Sequence, residues 1–349
     1  MKNRRFIWIT SLFIIISSLA HAQYDGYTLV WSDEFNGGYT NADYRTGLDM
    51  DSWSFETGGG GWGTGQRDVA TADPENVQVS NGTLKIRTHR HNANQTDEYT
   101  SGRINSQNKR SFLYGKMEAK IRTDNMTQPG RGFAFWMLGE GIPAGKANSA
   151  WPQTGEIDIM EYNGLYPDYN LGSCHYAYNW NNFEYGGEWN HGQASGIYYE
   201  SNRKTKFNAP NHYDGCTGYA SQGTSQDNRL GDSWHIYGIN WYADRIEFYI
   251  RKENDTVEDV YAIFRIDRNQ WCPVHSDNAK GNVQSMTGYP TTQFSENWRP
   301  FENPFYFVLS AGVGGANTYG GNITNGTNPD QWTCTTEIDW VRVYKLNSA

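Results

Sequence analysis

Glu156, Asp158 and Glu161 are the residues of this chain best suited, by type and spacing, to chemistry. They stand in the run Trp151-Pro-Gln-Thr-Gly-Glu156-Ile-Asp158-Ile-Met-Glu161-Tyr-Asn-Gly164. Ile157, Ile159 and Met160 make this a buried strand, so its polar positions should face a cleft. Side chains alternate along a strand, so Glu156 and Asp158 share a face. Strict alternation sends Glu161 to the other face. A one-residue bulge after Asp158 returns it to the first. Three acids crowded on one face repel one another, and a sheet built for stability alone would not gather them. Cleavage of an acetal by double displacement needs such a set. One carboxylate attacks carbon and another protonates the leaving oxygen, at a separation of about 5–5.5 Å. An aspartate between them can hold their pKa values apart. The spacing alone also fits a solvated acidic strand face, so the rest of the chain has to decide.

The elements that must position these acids read as strands. Val77 to Val79, Thr83 to Arg87, Gly115 to Arg122, Ile236 to Tyr242, Arg245 to Arg251, Phe305 to Ala311 and Glu337 to Tyr344 alternate or run apolar between turn residues. Asn81-Gly82 between two such runs predicts a hairpin turn. No long amphipathic helix stands out. Many short strands with Gly and Asn turns predict a sandwich or barrel. Residues 179–232 and 268–304 read as long loops, rich in aromatics and suited to shaping a cleft.

The chain opens with Lys2, Arg4 and Arg5, an apolar run from Phe6 to Leu19, and Ala20-His21-Ala22. This pattern predicts a secretory leader over residues 1–22, cleaved after Ala22, and places the mature chain in the periplasm, at the cell surface or in the medium. Nothing later approaches a membrane span. Residues 23–349 contain no linker and no repeat, and are expected to form a single domain.

The formal net charge is −9, and about −12 once the three leader cations are removed. A nucleic-acid backbone or anionic membrane is therefore a poor partner. With 14 Trp and 24 Tyr among many Asn and Gly, the composition suits stacking on sugar rings, whose hydroxyls take amide and carboxylate partners. Four cysteines in an exported chain favour disulfides, with Cys174–Cys216 and Cys272–Cys334 preferred because each pair brackets a long irregular segment. No cofactor is expected for catalysis, and the domain is expected to be a monomer.

The segment from Trp151-Pro to Asn163-Gly164 resembles the catalytic signature of glycoside hydrolase family 16. It is closest to the bulged version of laminarinases and marine galactanases. Leu29 to Gly37, Tyr99 to Ile104, Tyr114 to Ile121, Gly132 to Met137, Trp234 to Trp241, Phe305 to Gly315 and Glu337 to Tyr344 resemble other strands of the family in the same order. The resemblance implies a jelly-roll β-sandwich of two curved antiparallel sheets, with a concave cleft that admits the interior of a polysaccharide chain. It implies Glu156 as nucleophile, Glu161 as acid/base and Asp158 as the assisting carboxylate. It further implies Trp136, Trp151, Arg103 and His175 as substrate contacts, and a structural calcium ion on Glu34 and Asp339. The implied substrate is a β-1,3- or mixed β-1,3/1,4-glucan. The long segment 179–232 and the loop Gly61 to Arg67 depart from the laminarinase pattern and keep β-galactans of the agar or mucin type open. A glycan-binding protein without catalysis is a third reading, which the intact carboxylates disfavour.

Overall fold

The structure, a computed structural model, describes residues 24–91, 98–141, 151–164, 169–177, 191–200, 206–208, 230, 233–252, 258–266, 270–273, 299–314 and 332–347. In chain order its strands are β1 (Tyr27–Asp33), β2 (Ser54–Phe55), β3 (Val69–Thr71), β4 (Val77–Ser80), β5 (Thr83–Arg90), β6 (Tyr99–Asn105), β7 (Ser111–Phe112), β8 (Gly115–Asp124), β9 (Arg131–Gly139) and β10 (Glu156–Asn163). The remainder are β11 (Tyr169–Ala177), β12 (His191–Glu200), β13 (Lys206–Asn208), β14 (His235–Trp241), β15 (Arg245–Lys252), β16 (Asp259–Arg265), β17 (Gln270–Pro273), β18 (Phe305–Val313) and β19 (Trp332–Leu346).

These strands build two sheets. In the outer sheet β19 pairs along one edge with β8, and along the other with β5 and then β1. β14, β15, β16 and β17 continue outward from β8. The inner sheet runs β6, β18, β9, β10, β11, β12, β13. β6 joins the two, pairing with β5 through Tyr99 and Thr100 and with β18 through Arg103 to Asn105. All named pairings are antiparallel except β3 with β6.

Alternation explains which side of the inner sheet is open. On β9, Phe133, Phe135 and Met137 are buried, while Ala134, Trp136 and Leu138 are half-exposed. The buried set, with Phe305, Phe307 and Leu309 of β18 and Ile157 of β10, meets Met117, Ala119, Ile121, Ile239, Ile338 and Val343 of the outer sheet in one apolar core. Each such side chain contributes roughly 1.5–3 kcal/mol by leaving water. The hairpin at Asn81-Gly82 forms with both residues at positive φ, 54° and 74°, as a tight turn matched to strand twist requires.

Two expectations change. Residues 179–232 and 268–304 are not wholly loop. β12 and β13 lie in the first stretch and β17 in the second, extending the sheets from β11 and β16. Their Tyr-, Asn- and Gly-rich sequences hide any alternation; apart from residue 230 and residues 299–304, the rest of both stretches lies outside the described residues. The cysteine pairing is also corrected, since Cys174 and Cys334 are buried free thiols. Cys174 points into the core from β11, and the Cys334 thiol donates to the Asn125 carbonyl at 2.9 Å. Cys216 and the Cys272 side chain lie outside the described residues. No described helix is long and apolar enough to cross a membrane.

Candidate active site

Cross-strand register sets the open face out in three rows. Arg103, Ser310, Ala134 and Glu161 stand opposite one another in the first. Asn105, Val308, Trp136, Asp158 and Ser173 form the second. Tyr306, Leu138, Glu156 and His175 form the third. The strand carrying the acids is irregular where its sequence demands it. The register of β10 shifts after Asp158 against both neighbours, and Ile159 and Met160 are both buried. The extra residue turns Glu161 back to the face of Glu156 and Asp158.

The turn before β10 fixes where Glu156 begins. Gly155 has φ +87°, and a Cβ there would lie 2.6 Å from the Phe305 ring and 3.0 Å from Pro300. Gly139 is as tightly held, since its Cβ would fall on the Thr154 carbonyl oxygen. Gly155→Ala is therefore expected to cost about 2–4 kcal/mol, from left-handed backbone plus overpacking. Urea unfolding would show the lowered midpoint, and residual folded protein should turn over more slowly because Glu156 is displaced.

The acids share partners. The Trp151 indole N–H donates to Glu156 Oε2 at 2.7 Å, although Trp151 itself is largely exposed. His175 Nε2 lies 3.3 Å from Asp158 Oδ2 and 3.8 Å from Glu156 Oε1. Ser173 Oγ donates to Asp158 and lies 3.3 Å from Glu161 Oε2. A hydroxyl has one proton. Ser173 can therefore donate fully to only one of the two carboxylates at a time, and its shorter contact is with Asp158.

Burial pushes the Glu156 carboxyl well above the ordinary glutamate range, and the charges of Asp158 and Glu161 add to this; the Trp151 N–H opposes it. Burial likewise raises Glu161, with the Asp158 charge adding and Ser173 opposing. The cluster thus retains a proton where an isolated glutamate would have lost it. Among described residues it is also the one group whose donor atoms, on Glu156, Asp158 and His175, lie close enough to hold a metal ion.

The remaining anticipated residues divide. Trp136 stands opposite Asp158 and its indole N–H donates to Ser310 Oγ at 3.0 Å. Trp151 and His175 contact each other, ring centroids 5.6 Å apart. Arg103 lies three strands away, bonded through Nε to Glu56, with its guanidinium over Trp136 at 5.0 Å and Trp62 at 4.5 Å. Glu34 and Asp339, the expected calcium ligands, each pair with a cation. Glu34 accepts from Arg342 Nε and from one terminal Arg342 nitrogen, at 2.9 and 2.7 Å, and Asp339 pairs with Lys120 at 2.9 Å. Both carboxylates are thus matched by cations already, and neither is near the cleft.

Sequence reasoning missed Ser173, Glu56, Asn105 and Trp62. Ser173 was within reach, since it shares the period-two face of His175. Glu56 and Asn105, joined at 2.7 Å, and Trp62 carry no local signal.

Residues 16–159 match the family model described as beta-glucan synthesis-associated protein SKN1/KRE6/Sbg1. The chain is 29% identical to a beta-glucanase of Rhodothermus marinus over 98% of this chain and 94% of that protein. It is 28% identical to glucan endo-1,3-beta-glucosidase A1 of Niallia circulans over 92% of this chain, which spans 38% of that protein's length. The laminarinase structure from Rhodothermus marinus superposes with a TM-score of 0.60 at 25% identity, covering 92% of this chain and 98% of that one. The likeness identifies the two-sheet sandwich as a jelly roll.

Proposed function

We propose that this chain is an endo-acting β-glucanase that hydrolyses internal β-1,3- or mixed β-1,3/1,4-glucan bonds with retention of configuration. One observation carries the reading. A bulge in β10 brings three carboxylates, Asp158 buried and Glu156 and Glu161 half-buried, to the open face of the sheet, between an indole donor and a serine hydroxyl. The glucan-hydrolysing names of the relatives support the substrate class. In this reading the resemblance to glycoside hydrolase family 16 extends to the bulged acidic motif itself.

The roles follow from the contacts. Glu156, whose anion the Trp151 N–H stabilises, attacks the anomeric carbon. Glu161 donates its proton to the leaving oxygen. A glycosyl–Glu156 ester forms, and Glu161, now a base, takes a proton from the water that opens it. Asp158 holds Ser173 and faces His175, and so keeps the proton on its neighbours. Trp151 and Trp136 offer ring faces to sugars beside the cut. The reading includes export through the leader at residues 1–22 and one catalytic domain over 23–349.

The test is product sizing after incubation with laminarin, lichenan, agarose, porphyran and mucin glycans, with Glu156→Gln alongside. Oligosaccharides from laminarin or lichenan that vanish in the variant are expected. Products from a galactan alone would keep the mechanism and overturn the substrate. Binding without products from any polymer would overturn the enzyme.

A further inference from the structure

The arm of the open face beyond Trp136 holds an arrangement the reaction does not explain. Gly58 to Gly65 is a run of glycines broken by Trp62 and Thr64. Gly58, Gly60, Gly61, Gly63 and Gly65 all have positive φ, and at Gly58, Gly60, Gly63 and Gly65 a Cβ would meet nothing within 4 Å. These glycines serve backbone freedom rather than close packing. Trp62 itself sits at φ 49°, ψ 31°, left-handed backbone that a bulky residue rarely adopts. Its ends are anchored, with Gly58 and Ala70 exchanging backbone bonds and Arg67 N–H donating to Val313.

The Trp62 ring covers Arg103 at 4.5 Å, while its own indole N–H is enclosed without an acceptor. Arg103 uses Nε on Glu56, and neither terminal nitrogen bonds any described group. Glu56 also accepts from Asn105 at 2.7 Å. The Arg103 cation is thus neutralised in place by Glu56, and does not act as a free charge that would attract a sulfated or uronic ring. Arg103 stands three strand spacings from the acids of β10, roughly 14 Å. A chain bound across the strands meets it only once it extends several rings from the cut.

We infer that Trp62 is the specificity-determining residue of a distal subsite for an uncharged sugar ring, carried on a glycine-hinged loop and completed by Arg103, Trp136 and Glu56. A ring entering there stacks on the indole and takes hydroxyl bonds from the free Arg103 nitrogens, and drawing Trp62 out gives its N–H an acceptor. This binding is made alike in ground and transition states, so it lowers KM for long chains and leaves kcat nearly unchanged.

The inference rests on the glucanase reading, and its test separates the two. Wild type, Trp62→Ala and Trp62→Phe are compared on a length series of β-1,3-linked glucose oligomers, with folding checked by thermal melting. In wild type, kcat/KM should climb with length. In Trp62→Ala the climb should flatten through a roughly 10-fold or greater rise in KM for the longest oligomers, with the shortest unaffected. Trp62→Phe, which keeps a ring and loses the N–H, should recover part of it. If Trp62→Ala melts as wild type does and climbs as steeply, the distal subsite is overturned. A loss equal at every length would also overturn it, since that marks a merely structural role. If wild type cleaves none of the series but is active on another polymer, it is the glucan reading that fails. The same length comparison on that polymer then decides Trp62.

Discussion

Glu156→Gln is expected to lower turnover of polysaccharide by about 10⁴-fold or more while leaving substrate binding nearly intact, because it removes the atom that forms the covalent intermediate. A smaller replacement sharpens the test. Glu156→Gly with sodium azide and an activated aryl glycoside should yield the glycosyl azide of inverted configuration, since the external anion attacks from the face the carboxylate vacated. Product stereochemistry by proton NMR decides it. A retained azide, or none, would move the nucleophile elsewhere.

The same substitution has a stability signature whose sign is fixed. Burial and the neighbouring charges raise the Glu156 and Glu161 carboxyls above their ordinary value of 4.5. Between that value and the raised one, the folded protein holds protons that the unfolded chain has released. Stability therefore falls as pH rises through this window. Glu156→Gln removes part of the repulsion and should be the more stable protein at neutral pH, by about 1–2 kcal/mol. Below pH 4.5 the gain should disappear, because the acids are then protonated in both states. Urea midpoints on both sides of the window would measure it, and an unchanged or lower midpoint at neutral pH would contradict the crowding argument.

Glu161→Gln is the second large effect. Loss of a general acid/base costs typically 10²–10⁴-fold. The loss should depend on the leaving group. A natural glucan needs its departing oxygen protonated, whereas an aryl glycoside with an acidic phenol does not. The variant should release a rapid burst of phenol and then stall, because the second step still needs a base. In wild type the alkaline limb of the pH profile reports loss of the proton from the acid. With burial holding that carboxyl up, the limb should lie well above the ordinary glutamate value. In Glu161→Gln that limb should vanish on the aryl substrate. A profile that keeps it would assign the acid to another group.

The bulge in β10 was legible because its apolar residues break period at one point. Ile157, then Ile159 with Met160, then Tyr162 can all face inward only if one residue is extra, and all four are buried. β18 was legible for a related reason, since an uninterrupted Phe305-Tyr-Phe-Val-Leu run suits only a strand in the middle of a sheet. Partners remote in sequence were not legible. The Glu34 carboxylate invites a cation, and nothing local says that the cation is Arg342, 308 positions away. Trp62 was hidden differently. A lone aromatic in a glycine run reads as loop, and only the fold places it over Arg103. The disulfide expectation failed because it weighed bracketing and not direction. Cys174 alternates inward with Ile157 opposite it, and the core holds the thiol away from any loop.

The first and last strands, β1 and β19, are joined on the outer sheet. Tyr27 stands opposite Leu346, and Asn347 N–H donates to the Gly26 carbonyl at 2.8 Å. Beyond them Tyr24 plugs the buried Glu118 through both carboxylate oxygens, at 2.9 and 2.8 Å. The open face belongs to the other sheet. A copy tethered to a solid support through its carboxyl end would therefore present the cleft outward to an incoming polymer. A circular permutant that links Tyr24 to Asn347 through a short linker would keep β1 and β19 in register, and new ends could be cut at an exposed hairpin such as Asn81-Gly82.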